Sequence, residues 1–424
     1  MKRLINPNKN DWQQLTQRPI AGPVAINDIV NTIFAEIQRD GDKAVKKYTL
    51  LFDKASLESF AVSKKVIEDA SGKISEDLKS AIQLAKSNIE KFHAAQIETR
   101  KVIETTKGVS CWRESRGIET VGIYIPGGTA PLFSTVLMLG IPAKLAGCKN
   151  IVLCTPPATD GSINPVILYV ANLVGITSIF SAGGIQAIAA MTFGTESIPK
   201  VDKVFGPGNQ YVTAAKQTAQ HFGVAIDMPA GPSEVLIIAD NSSNPSFVAA
   251  YLLSQAEHGT DSQVILLSDD ETVIDKTLSE LKKQLSALPR KAIAEKALEN
   301  SKAILLDTVN ECVEFSNLYA PEHLIMAVKN AGIHKSGILK AGSVFLGNYS
   351  CESAGDYVSG TNHTLPTNGY ARSYSGISLE SFVTKITFQE LTKEGIQNIG
   401  PAIELMAEAE NLMAHKNAVT LRLL

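Results

Sequence analysis

Gln255 and His258 stand three residues apart at the end of an apolar helical pattern, Phe247 to Leu253, which Gly259 closes. Residues three apart share one face of a helix. A helix C-terminus carries partial negative charge and unpaired carbonyls, which suit a cation. An imidazole nitrogen and an amide oxygen therefore meet where a metal ion is welcome. Spacing of this kind also arises by chance, so the reading depends on what else the chain supplies. Ala320-Pro321-Glu322-His323-Leu324 sets a carboxylate beside an imidazole just before an apolar strand pattern. At such a junction both can reach one cleft, and the pair suits general acid–base work near neutral pH. Gly355 to His363 reads as a polar loop bracketed by glycines, offering Asp356 and His363. His415 lies on a C-terminal helical pattern, with Glu410 five residues before it. Taken singly, a core histidine explains His323 or His415 as well as catalysis does, and an Asx turn explains Asp356. His93, His221 and His334 lie in lysine- or glutamine-rich helical surroundings and read as surface residues.

These residues need a scaffold, and the chain's texture supplies one. Residues 1 to about 21 form a polar lead-in closed by Pro19 and Pro23. From Asn27 to about Ala95 apolar residues recur at helical spacing, as in Ile29, Val30, Ile33, Phe34 and Ile37, which predicts a helical layer over a sheet. Near Val109 the pattern changes to short apolar runs, most of them ending in glycine. Val121–Ile125 runs into Pro126-Gly127-Gly128, Asn150–Cys154 into Pro156-Pro157, Ser178–Phe180 into Gly183-Gly184, and Lys203–Phe205 into Gly206-Pro207-Gly208-Asn209. Strand, turn and helix repeated in this way predict a parallel α/β sheet. Two of the turns place glycines at a helix N-terminus, where bare amides can hold a pyrophosphate. The usual G-x-G-x-x-G fingerprint and its acidic partner for the ribose are missing. A Pro/Gly cluster at 229–232 reads as a domain crossing. Further strands follow it at Val235–Ala239, Val264–Leu267, Ile304–Leu306, Leu324–Val328 and Ser343–Leu346, a second α/β layer. The tail from about Ile377 ends in an amphipathic helix, Ile403 to Leu424.

Composition narrows the classes. The 424-residue chain is long enough for two medium domains. A formal charge of −3 and no basic run argue against a nucleic-acid partner. Met1-Lys2-Arg3 leads into a polar stretch, so no secretory signal is expected. The most apolar region, Pro165 to Phe180, is interrupted by polar residues and reads as core, with no membrane span. Five cysteines, an odd count without paired spacing, fit free thiols in a reducing cytoplasm.

Tyr124-Ile125-Pro126-Gly127-Gly128, Gly206-Pro207-Gly208-Asn209, Ser254 to Gly259, Pro321 to Leu324, Ser353 to Tyr357, Gly360 to His363 and Ala414 to Thr420 together resemble the histidinol dehydrogenase family. The likeness runs from about residue 20 to the C-terminus with the motifs in order. It implies a fold of two Rossmann-like, aldehyde-dehydrogenase-like parallel-sheet domains with small helical segments at both ends. Residues 22–123 and 234–376 would form the first domain with the zinc and substrate site, 124–233 the NAD side, and 377–424 the tail. It implies Gln255, His258, Asp356 and His415 as ligands of one Zn2+. Ser233, His363 and Glu410 would contact L-histidinol along with those ligands and His323, while Tyr124, Gln186 and Asn209 would contact NAD. The implied activity is a cytoplasmic, four-electron oxidation of L-histidinol to L-histidine through the aldehyde, the last step of histidine biosynthesis. Glu322 and His323 would carry the proton transfers, and a homodimer would let one chain's tail complete the other's zinc site.

Two rival classes stay open on the residues alone. One is an aldehyde dehydrogenase acting through a cysteine thiohemiacetal, for which Cys111 and Cys154 lie nearest the glycine turns, though without an evident activating base. The other is a zinc hydrolase that binds no nucleotide.

Overall fold

The computed structural model describes residues 1–18, 24–127, 131–229 and 231–424. Pro19, Pro23, Gly128 and Ala230, used above as punctuation, lie outside them. In chain order the strands are β1 Lys2–Ile5, β2 Ile103–Thr106, β3 Val109–Gly117, β4 Thr120–Tyr124, β5 Asn150–Thr155, β6 Ser178–Ser181 and β7 Lys203–Phe205. They continue with β8 Ala225–Ile226, β9 Glu234–Ala239, β10 Gln263–Ser268, β11 Lys302–Leu305, β12 His323–Ala327, β13 Ser343–Leu346 and β14 Val383–Leu391.

Three sheets result. A five-stranded parallel sheet has the order β6-β5-β4-β7-β8. A six-stranded parallel sheet has the order β1-β11-β10-β9-β12-β13. β14, β3 and β2 form a small antiparallel sheet. The first two explain the short apolar runs: β9 and β10 are buried at every position. Strands covered by helices on both faces have no polar face to show, so their sequences do not alternate. Each Ile or Leu buried in this way stabilises the fold by about 1.5–3 kcal/mol before chain entropy is counted.

The N-terminal helical layer covers the five-stranded sheet. The helix Val24–Asp40 packs on Gly184–Phe193 and Gln210–Gln220, and Glu76–Ala94 packs on Phe133–Leu145. Val30, Ile33, Phe34 and Ile37 share one core with Ile185, Ile188 and Val212. Ile82, Ala85 and Ile89 share another with Val136 and Leu139. The 24–94 layer, expected in one domain with 234–376, lays its apolar faces on the helices of 124–233. The lead-in is not separate either. β1 adds a parallel strand to β11, and Trp12 is buried edge-on against Phe315 at 5.5 Å between ring centroids.

Three further expectations change. The antiparallel sheet is unanticipated, and β14 occupies the start of what reads as tail. The final amphipathic helix is two, Lys393–Ala409 and Met413–Leu423. They turn at Asn411, whose left-handed φ of 58° and the Leu412 N–H to Ala407 carbonyl bond end the first helix. His93 is fully buried, its ring 3.4 Å from the Asn362 amide, so it is no surface residue.

Candidate active site

The polar residues gather at the amino ends of β9 and β12, neighbours in the six-stranded sheet. Parallel strands begin where the preceding helices end, so this rim collects the negative ends of helix dipoles. The helix Pro245–Ala256 delivers Gln255 there. It stops at Ala256 rather than Gly259. His258 sits in the following turn, exposed, with its N–H on the Gln255 carbonyl at 3.2 Å. Asp356 is not on a loop but near the end of a short helix, Glu352–Tyr357, whose first residue, Glu352, is fully buried.

His323 opens β12 opposite Val235 of β9 and is 4% exposed; Glu322 beside it is 6% exposed. One residue of β9 grips both. The Glu234 N–H donates to Glu322 Oε2 at 2.8 Å, and the Glu234 carbonyl lies 3.2 Å from His323 Nδ1. A carbonyl only accepts, so it places a proton on Nδ1 and leaves the lone pair of the neutral ring on Nε2. That Nε2 is buried with no hydrogen-bond partner among the described residues, 3.6 Å from Asp356 Oδ1. Burial lowers the imidazole's pKa, but the charges of Glu322, Asp356 and Glu352 outweigh it and hold it well above the ordinary histidine value. Burial raises Asp356, yet His323, His363 and His258 bring it below its usual range. Glu352 is pushed up to about 8 by burial first, then by Asp356 and Glu322, against the pull of His323. Turned so that its nitrogen faces Glu352, the Gln255 amide donates there and sets its oxygen 3.1 Å from the Glu234 N–H, which it shares with Glu322. That oxygen keeps a second lone pair for a ligand.

Behind the rim the Glu234 side chain is itself locked. Arg18 Nε and Nη2 reach its carboxylate at 2.5 and 2.8 Å, and the Asn368 N–H reaches it at 2.9 Å. The Arg18 guanidinium also lies 3.9 Å from the centre of the Tyr319 ring. Removing one partner of a buried pair of this kind costs about 3–5 kcal/mol. His363 joins the two halves: its Nδ1 is 2.8 Å from the Asp356 carbonyl, and its Nε2 is 3.0 Å from Thr135 Oγ1 in the other half. Ser233, half-buried, immediately precedes β9.

The rim fits a cation without completing a cage. Gln255, Asp356 and His258 bring an amide oxygen, a carboxylate and an imidazole to one side, where Asp356 and Glu322 bias the field and Glu352, pushed up to about 8, holds its proton at neutral pH. No three His, Cys, Asp or Glu side chains converge as a metal cluster among the described residues. His415 and Glu410 are exposed on the terminal hairpin, which packs on β14 and β2. No hydrogen bond or ion pair links either side chain to the rim among the described residues.

The second feature is a cavity of about 1060 Å3 at the carboxyl ends of β4 and β5 and above β7. β4 is where the strand order reverses, the place where such sheets bind ligands. Tyr124, Gln186 and Asn209 all line it. Gly206 has a φ of 127°, and a Cβ there would stand 2.1 Å from the Tyr124 carbonyl oxygen, so only glycine allows the approach. A buried Lys216–Asp227 ion pair clamps this turn: Lys216 donates to the Gly206 carbonyl and Asp227 accepts from the Gly206 N–H, both at 2.9 Å. The expected bare amides are in part engaged. Gly184 N–H donates to the Tyr124 hydroxyl at 3.0 Å, and Asn209 caps Tyr211 and Val212.

Several participants escape the sequence reading. Glu234, Glu352 and Arg18 carry no motif; the available signal for Glu234 is a carboxylate opening an otherwise apolar strand. Of the two thiols considered, Cys154 is fully buried, and burial raises its pKa far above the ordinary thiol value. Cys111 lies on β3, in the antiparallel sheet.

A model of the histidinol dehydrogenase family matches residues 16–423. The chain is 57% identical over 423 residues to histidinol dehydrogenase of Bacteroides thetaiotaomicron, covering 100% of this chain and 99% of that one. It is 52% identical over 413 residues to histidinol dehydrogenase of Escherichia coli, covering 97% and 94%. A crystal structure of histidinol dehydrogenase from Elizabethkingia anophelis superposes with a TM-score of 0.98 at 65% identity, over 100% of this chain and 98% of that one. An acetylating aldehyde dehydrogenase from Geobacillus thermoglucosidasius shares the fold at 14% identity and a TM-score of 0.50, over 90% and 94%.

Proposed function

Because the chain belongs to the histidinol dehydrogenase family, oxidoreductases that oxidise histidinol in histidine biosynthesis, we propose that it converts L-histidinol to L-histidine in two NAD-linked oxidations with zinc bound at the rim. The observation that carries this reading is the buried Glu322–His323 pair, gripped by Glu234 and leaving one imidazole nitrogen without a partner.

NAD, when bound, supplies the acceptor for the hydride lost at each oxidation. Gln255, His258 and Asp356 would hold the zinc, which would supply positive charge to orient the substrate and to offset the nearby carboxylates. His323 takes the hydroxyl proton at Nε2 during the first oxidation, the Nδ1–H staying on the Glu234 carbonyl. Glu322 then accepts a proton from the water that adds to the aldehyde while His323 returns its proton to the carbonyl oxygen, which gives the diol, and His323, neutral again, takes a diol proton in the second oxidation. Ser233 and His363 border the substrate's place, and Thr135 steadies His363. Tyr124, Gln186 and Asn209 line the dinucleotide's cavity.

His415 and Glu410 serve the rim of a second copy in a homodimer. In support, the hairpin that carries them exposes Leu405, Met406, Leu412, Met413 and Leu421 at 45–69% of their surface, an apolar face without a partner in the single chain. The compartment is the cytoplasm, in keeping with five unpaired thiols, and no helix among the described residues is long and apolar enough to cross a membrane.

The test supplies histidinol with NAD and follows absorbance at the reduced-nicotinamide band, with and without chelator. Two NADH formed per histidinol, lost on metal removal and restored by zinc, is the expected result. Full activity in protein shown to be metal-free overturns the zinc assignment. Normal oxidation of supplied histidinaldehyde by Glu322→Gln overturns the role given to Glu322.

A further inference from the structure

We propose that Asp53 selects the cofactor: its carboxylate accepts the vicinal hydroxyls of the adenosine ribose and repels a 2′-phosphate. The inference rests on reading the cavity as the dinucleotide site, and it deepens that reading.

Asp53 is the one charged side chain among the described residues that line the cavity; no lysine or arginine is there. It comes from the N-terminal layer, at the end of the single wide turn Thr49–Asp53, not from the sheet that forms the cavity floor. This is why the search for an acidic residue after a glycine turn finds none. Gln186 Nε2 donates to Asp53 Oδ2 at 3.1 Å and fixes the carboxylate. The Oε1 of that amide is buried and has no hydrogen-bond partner among the described residues, although Gln186 is completely enclosed. Tyr124 contributes to the same cavity, its hydroxyl accepting the Gly184 N–H and keeping its own proton to donate. The two oxygens of the Asp53 carboxylate, each with a lone pair to offer, match the two hydroxyls of a ribose diol. A phosphate dianion meets there a carboxylate and no cation, an unfavourable meeting in a partly dry cavity.

The lining also indicates which ribose. Phe52, beside Asp53, is 50% exposed and with Ile29, 41% exposed, makes an apolar lip to the cavity, a face for a purine ring. Pro131, also in the lining, leads into the helix that carries Thr135, and through it to His363 and the rim. The nicotinamide belongs at that end and the adenosine at Phe52, which puts the adenosine diol on Asp53. Burial pushes the Asp53 carboxyl up to about 6, so NAD affinity should fall as pH drops through that value, where the acceptor gains a proton.

The experiment titrates NAD and NADP separately into the wild-type enzyme and Asp53→Asn at pH 8, by equilibrium binding without histidinol. Wild type should bind NAD about 100-fold or more tighter than NADP. Asp53→Asn should weaken NAD about tenfold while NADP stays the same or tightens, so the preference falls by about tenfold or more. Repeating the NAD titration at pH 5.5 should weaken the wild type and leave the variant unchanged. Asp53→Ser is read in parallel, so that misfolding of one variant leaves the other to decide. Equal weakening of both cofactors, or an unchanged preference, overturns the assignment to the adenosine ribose. Wild type binding neither dinucleotide overturns the cavity reading as a whole, an outcome distinct from failure of Asp53 alone.

Discussion

His323 and His415 are both placed in the active centre by the family resemblance, yet the folded chain treats them oppositely. His323 begins an inner strand, is buried, and has its Nδ1 committed to a main-chain carbonyl with carboxylates around it. His415 is exposed on a hairpin whose apolar side has no cover. On the proposed reading, the contrast separates what one chain finishes from what it leaves for a partner. The proposed proton-transfer pair is built into the fold of a single copy, whereas His415, proposed as the fourth donor to the metal, is held outside it.

The largest expected effect attacks the finished half. His323→Asn should lower kcat by about 10^2–10^4 while melting behaviour and metal content stay close to wild type. A drop below tenfold would place the base elsewhere. Mixing tests the unfinished half. His258→Asn and His415→Asn should each be inactive alone, and co-refolding them should restore up to roughly a quarter of wild-type activity if association is random. Mixed dimers shown to be present but inactive would mean that the tail serves its own chain. The smallest effect sharpens the difference between paired and lone buried charge. Asp53 has a folded pKa of about 6 against an ordinary value of 3.8, so the native state holds the proton longer than the unfolded chain. Its contribution to stability is therefore lost as pH rises between those values. Asp53→Asn should be more stable than wild type by on the order of 1 kcal/mol at pH 7.5, allowing for partial solvation, and no more stable at pH 3.5. Thermal melts at the two pH values check it; a gain that is equal at both would assign it to something other than this carboxyl.

Much of this was legible in the sequence, for reasons that also explain the misses. The inner strands β4, β5, β9 and β10 read clearly because burial on both faces leaves unbroken apolar runs. β3 and β14 are half-exposed and mix charged with apolar residues, so nothing in Val109–Gly117 announced a strand. The tail break at Asn411 depends on one left-handed residue, which periodicity does not see. His93 was misread from its lysine neighbours, although Ile82, Ala85, Ile89 and His93 recur at helical spacing and share the buried face. Which sheet the N-terminal layer covers is a tertiary choice, since an apolar stripe does not name its partner. Among the candidate site residues, Gln255, His258, Glu322, His323 and Asp356 stand out in the sequence through type and spacing. Glu234 and Arg18 act across 216 positions of chain and do not.

The grip of residue 234 on the active pair has a consequence for genetics. Both contacts use its main chain, so exchanging its side chain leaves the N–H and the carbonyl in place. An alanine scan at this position reports the loss of the Arg18 lock and is blind to the bonds that aim Glu322 and His323. Only proline deletes the N–H, and it would break the strand as well. Part of this centre's precision is thus written in no particular codon, and sequence drift can erode it only by moving the strand itself.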